Sequence, residues 1–167
     1  MPLSKIDSDS LNSGVPTRAQ LPAGSVLQVV QGTYATQVTI SSTSYSATGL
    51  AASITPTSST SKILVLVSQT TQIYRQYGAT QDGVIKLFRG ASELSLYQAL
   101  RQWVGTNTSI DVQIGSTFSA IYLDSPNTTS STTYSTQAAC TVTAQGGYVQ
   151  LQTASSPSTI TLMEIAA

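Results

Sequence analysis

Asp82, Glu93, Asp111, Asp124 and Glu164 are the carboxylates in the body of this sequence, and they are the side chains whose type suits acid–base work. Cleavage of a glycosidic bond needs two such groups held about 5 to 10 Å apart. No two of these are close in sequence. Each falls at a turn or strand end, where a carboxylate ordinarily caps or is solvated. There is no histidine, which removes Ser-His-Asp and Cys-His arrangements and imidazole metal ligation together. Cys140 is the one cysteine, so no intrachain disulfide can form, and in Ala138-Ala139-Cys140 it reads as a small buried hydrophobe. Asp7-Ser8-Asp9-Ser10 has the alternating oxygens of a calcium loop, but Leu11 takes the next ligand position and no Glu closes the loop. The expectation is a protein that is not an enzyme and has no catalytic residue, metal ligand or cofactor.

Binding through aromatic rings is the remaining chemistry. Tyr74, Tyr77 and Trp103 can stack on sugar rings, because each offers a flat apolar face with a polar handle. The competing use of the tyrosines is to fill the core of a chain that has only two Phe. Charge narrows the partners further. Seven Lys and Arg balance seven Asp and Glu, and charged residues make up 8% of the chain, against about 25% in average domains. With no cluster of cations there is no electrostatic footprint for a nucleic-acid backbone or an anionic membrane. No stretch approaches the ~18 apolar residues of a membrane-spanning helix, and Met1 to Asp7 lack the apolar region of a signal peptide, so synthesis in a cytosol is expected.

The elements that would position these groups are strands. Ser and Thr supply roughly 30% of the chain, far above average usage, while apolar residues still make up 40% and come in strand-length runs. Runs at 26–31, 37–41, 50–54, 62–72, 83–89, 94–98, 110–114, 116–123, 133–144, 147–152 and 159–165 are bounded by turn residues such as Pro56-Thr57-Ser58 and Ser125-Pro126-Asn127. Only 96–104 suits a helical turn. Residues 1–24 show no period of 2 or 3.6, and they form an arm preceding a single domain at 25–167. The class is all-β, and this number of strands suits a two-sheet sandwich of jelly-roll type.

Two segments are apolar at both parities: Ile63-Leu64-Val65-Leu66-Val67, and 160–165 with Ile160, Leu162, Met163 and Ile165. A sandwich strand has one face on the core, so apolar residues on the other face call for a second cover, and another copy of the chain provides one. Leu64, Leu66, Leu162, Met163 and Ile165 are the candidate contacts.

The order of Pro2-Leu3-Ser4-Lys5-Ile6-Asp7-Ser8-Asp9-Ser10-Leu11, then Leu21-Pro22-Ala23-Gly24-Ser25-Val26-Leu27-Gln28-Val29-Val30-Gln31, then Ile54 to Val65, Leu87-Phe88-Arg89-Gly90, Tyr122 to Thr129 and Ser158 to Ile165 covers nearly the whole chain. It resembles small virion structural and tail-fibre-like proteins of tailed bacteriophages, especially those of aquatic bacteria. The resemblance implies a trimeric β-sandwich on the outside of a particle, made in the host cytoplasm, and it transfers no catalytic residue. The chain lacks the long repetitive stalk common in fibre proteins. Two roles are expected. The first is a capsid cement or decoration protein, bound to the major capsid protein or a tail protein through the arm residues Leu3, Ile6, Leu11, Val15 and Leu21. The alternative is a tail-fibre or tail-tip module that grips host polysaccharide through Tyr74, Tyr77 and Trp103.

Overall fold

Alternation of apolar and polar residues commits each strand to one buried face, and two sheets that bury those faces against each other complete a core. The computed structural model describes residues 21–75, 81–102, 111–143 and 146–167. Among them the strands are β1 (Val26–Tyr34), β2 (Val38–Ile40), β3 (Ser46–Ile54), β4 (Lys62–Arg75), β5 (Gln81–Arg89), β6 (Ser92–Gln102), β7 (Val112–Asp124), β8 (Thr132–Cys140), β9 (Tyr148–Leu151) and β10 (Ser158–Ile165). The arm residues Leu3, Ile6, Leu11 and Val15, the Asp7–Ser10 run, Tyr77 and Trp103 lie outside the described residues.

The larger sheet runs β1-β10-β4-β9-β2 with β7 on the other side of β4, and the smaller runs β3-β8-β5-β6; all pairings are antiparallel. β10 pairs with Lys62–Ser68 of β4 and β9 with Thr71–Tyr74, so β9 and β10 form one track along β4, split by residues 152–157. β1 and β2 form a second split track beside it. Eight tracks result, and the chain crosses between sheets at most of its turns, with β5 and β6 a hairpin inside the smaller sheet. This is the jelly roll.

Inward-facing Ile63, Val65, Val67 and Ile73 of β4 meet Ile85 and Leu87 of β5, Leu50 and Ile54 of β3, and Tyr134 and Ala138 of β8 in one core. Cys140 is buried and its thiol donates to the Ile40 carbonyl at 3.0 Å. A polar chain crosses the same interior. The Thr48 and Thr136 hydroxyls lie 2.6 Å apart, and the Thr136 hydroxyl donates to Gln69 Oε1 at 3.1 Å, tying β3 and β8 to β4.

Two details differ from the sequence expectation. The stretch at 96–102 is strand, because β6 pairs with β5 from Ser92 to Gln102 through two register shifts, and cross-strand hydrogen bonds override a weak local pattern. The expected strands at 110–114 and 116–123 join as one over the described residues, since Gly115 lies opposite Gln72 in unbroken register.

Where β1 and β3 meet at the corner between the sheets, glycine is required twice. A Cβ on Gly32 would stand 2.1 Å from the Ala51 carbonyl oxygen, and Gly49, at φ +84°, lies under the Tyr34 ring within the register shift of β3. Gly32→Ala is expected to force the strands apart and cost about 1–3 kcal/mol, as overpacking does. Chemical denaturation followed by circular dichroism measures this, and an unchanged midpoint would show that the corner opens freely.

Candidate functional site

Of the carboxylates that could have done chemistry, Asp124 and Glu164 hold parts of the sandwich together. Asp124, at the end of β7, accepts both Arg89 hydrogen bonds at 2.9 and 2.8 Å and the Tyr134 phenol at 2.7 Å, which joins the two sheets at one end. Burial, reinforced by the bond to Asp124, pushes the Tyr134 phenol well above its usual range. Glu93 pairs with Lys86 at 2.6 Å, and that hydrogen bond raises the lysine's pKa while its ammonium sits over the Tyr45 ring. Asp111 accepts the Tyr74 phenol at 3.0 Å. Asp82 is buried at the start of β5. Among the described residues no three His, Cys, Asp or Glu side chains cluster to hold a metal, and no helix is long and apolar enough to cross a membrane.

Glu164 is the most enclosed of them, at 0% exposure on the inward face of β10. The Thr57 N–H and hydroxyl each donate to Oε1 at 2.7 Å, and the Gln28 amide donates to Oε2 at 2.6 Å and to the Thr55 carbonyl. One carboxylate thus ties β1, β10 and the 55–61 turn together. Burial raises its pKa, and the Thr57 and Gln28 donors outweigh that and hold it below the usual carboxylate range.

The surface left for function is the outer face of the larger sheet. The register builds it in rows. Val29 (β1), Met163 (β10), Leu64 (β4) and Leu123 (β7) stand side by side across four strands, and the next row is Gln31, Thr161, Leu66 and Ile121. A third row, Thr33, Thr159, Ser68 and Ser119, is short and polar. None of these positions carries a charge. Among the described residues the exposed large apolar side chains are Val26, Val29, Ile114, Ile121 and Leu123, all on β1 and β7.

Of the contacts expected from sequence, Leu64, Leu66, Met163 and Ile165 are partly exposed, and the pairings place them on this outer face. Leu162 is not among them. It sits at the opposite parity of β10, fully buried between the sheets, because alternation turns it inward once Met163 faces out. Val29, Ile121 and Leu123 were missed. Their own runs held the signal, since Val29-Val30 and Ala120-Ile121-Tyr122-Leu123 are apolar at both parities, as the neighbouring β10 and β4 are.

At the other end of the same face Tyr74 stacks on Tyr148 with ring centroids 4.7 Å apart, and the Gln113 amide lies 3.4 Å from the Tyr148 hydroxyl. Leu21 lines a separate cleft of about 380 Å³ with Leu27, Thr57, Ala166 and Ala167, where the Gly24 N–H donates to the Ala166 carbonyl at 2.8 Å. Leu21 therefore lies beside the C-terminus, near the Val26–Ile165 end of the apolar rows.

No protein-family model matches the chain, and no curated protein matches it. Among solved structures it aligns over its whole length with chains of infectious bursal disease virus particles. The T=13 viral particle gives a TM-score of 0.37 at 11% identity, the derived T=1 particles 0.35 at 12%, and the VP2 subviral particle 0.34 at 14%. The chain spans 40 to 42% of the length of those chains. Similarity at this level assigns no function.

Because Glu164 is held below its ordinary value near 4.5, its ionised form contributes stability above that pH and loses it as pH falls through the folded value. Glu164→Gln removes one acceptor and adds a donor against Thr57 or Gln28, at a cost of about 1–3 kcal/mol near neutrality. Denaturation midpoints measured from pH 7 to 3 should show a shallower decline in the variant than in the wild type. Parallel curves would remove Glu164 from the acid response.

Proposed function

We propose that this chain is a non-enzymatic structural protein of a tailed-phage virion, a homotrimer of jelly-roll sandwiches that acts as a capsid cement or decoration protein. The observation that carries the reading is the outer face of the larger sheet, with apolar rows across four strands, Lys62 as a charged residue at their end beside Ile165, and no cover within the described chain. Leu64, Leu66, Met163 and Ile165 belong to the contact between copies. Such a face marks association rather than small-molecule chemistry. The resemblance of the sequence segments to phage virion proteins points to the same class of work.

The arm supplies the hold on the particle. Leu3, Ile6, Leu11, Val15 and Leu21 are its apolar anchors, and the 20 residues before Leu21 reach up to roughly 70 Å if extended. Three arms per trimer make attachment multivalent, so modest contacts to a major capsid protein, or to a tail protein, sum to slow release.

A second reading keeps the assembly and changes its place. As a tail-fibre or tail-tip module the protein would grip host polysaccharide, with Tyr74 of the Tyr74–Tyr148 stack and the sequence candidates Tyr77 and Trp103 as contacts. A glycan array probed with the purified protein separates the two, because a cement protein shows no dose-dependent sugar binding.

Immunogold microscopy of purified particles is expected to place label evenly over the head. Label confined to the tail would favour the adhesin, and unlabelled particles would overturn the virion reading. Removal of residues 1–20, which leaves the Pro22–Ser25 turn and its bonds to Ala166 in place, is expected to give a folded trimer that no longer binds particles. A truncated trimer that still decorates them would remove the arm from the mechanism.

A further inference from the structure

Along the outer face of the larger sheet a projection and a depression lie side by side. Ile121 stands out at 70% exposure, flanked in its row by Leu66. One step along the strands the side chains drop in height to Ser119, Ser68 and Thr159, and with Thr161 they enclose a dimple of about 250 Å³ whose wall is Leu66 and Ile121 themselves. Thr methyl groups and the Leu66 side chain give that dimple an apolar lining, and it has room for a branched side chain the size of isoleucine. A projection of that size in water and an apolar dimple beside it are each unfavourable alone, and each is the shape the other needs.

We propose that Ile121 of one copy of this chain seats in the Ser68–Ser119–Thr159–Thr161 dimple of the next, in a head-to-tail contact that closes as a ring of three. The inference rests on the homotrimer reading above and names the residues that meet. Each copy offers one knob and one hole on the same face, so copies can exchange knobs across a two-fold or pass them on around a ring, and the ring of three is the closure that the homotrimer reading requires. The occupant is a second copy rather than an ion or a charged partner because no position in the three rows is charged. Four strands at ~4.8 Å and about seven residues at ~3.4 Å give a face of roughly 450 Å² in projection. Followed over its side chains, that area is of the order of the ~800 Å² per partner that a stable interface buries.

Paired cysteines test the contact. Within one chain positions 121 and 159 lie two strands and about two residues apart, roughly 12 Å, beyond the reach of a disulfide. Cys140 is buried and does not compete. The double variant Ile121→Cys with Thr159→Cys, oxidised and run on a non-reducing gel, is expected to give covalent dimers and trimers, while each single variant gives neither. The native mass of the wild type, measured by light scattering, accompanies it. A trimeric mass without cross-links would overturn the knob-in-dimple contact and leave the trimer standing. Cross-links that stop at dimers would show two-fold pairing and overturn the ring, and a monomeric wild type would overturn both the contact and the trimer. Ile121→Glu, at an exposed position, is expected to convert the trimer to a monomer with an unchanged circular dichroism spectrum, and a variant that stays trimeric would count against the contact.

Discussion

β4 is hydrogen-bonded along both edges, to β7 over Ile63–Arg75 on one side and to β10 and then β9 on the other, and the rest of the sandwich is arranged around that central pairing. Its inward side chains, Ile63, Val65, Val67 and Ile73, are the floor on which the smaller sheet packs. Its outward side chains, Leu64 and Leu66, anchor the apolar rows. Over Ile63–Val67 this strand is paired on both edges and apolar on both faces; its own second sheet covers the inner face, and the proposed contact between copies would cover the outer one.

Two carboxylates of this sparsely charged chain, Asp124 and Glu164, lock the ends of the sandwich. Asp124 receives Arg89 and Tyr134 from the opposite sheet, and Glu164 gathers Gln28, Thr55 and Thr57 around the β1–β10 end through direct and relayed hydrogen bonds. Removing a donor or acceptor from such an enclosed site leaves the partner unsatisfied, which is why these acids hold structure rather than stand ready to exchange protons with a substrate. Elsewhere hydroxyls do what charge does in other proteins. Thr48 and Thr136 bond inside the core, and Ser53 and Thr133 bond across strands at the surface.

The outer face then has a graded character. Apolar rows lie at the Val26–Ile165 end, short hydroxyl side chains in the middle, and the Tyr74–Tyr148 stack with Gln113 at the far end. Leu21 lies at the apolar end. The proposed ring of copies uses the apolar half of this surface and leaves the tyrosine half exposed.

Much of this was legible in the residues. Period-2 runs and turn residues marked the strands and the two-sheet class, and the doubly apolar 63–67 and 160–165 marked strands with apolar residues on the outer face. Tertiary structure alone decided which parity faced which way. Alternation says that Leu162 and Met163 point to opposite sides, but only the pairing of β10 with β1 and β4 sends Leu162 to the core and Met163 outward. The register shift between Val26 and Gln28 keeps Val26 and Val29 on one face despite their odd spacing, and no local pattern carries that. Nor did local sequence foretell Glu164 as a buried tie, Gln69 and Thr136 as core residues, or Ile121 beside a dimple. Each depends on partners tens of residues away, and such contacts are set by the packing of whole sheets rather than by neighbours along the chain.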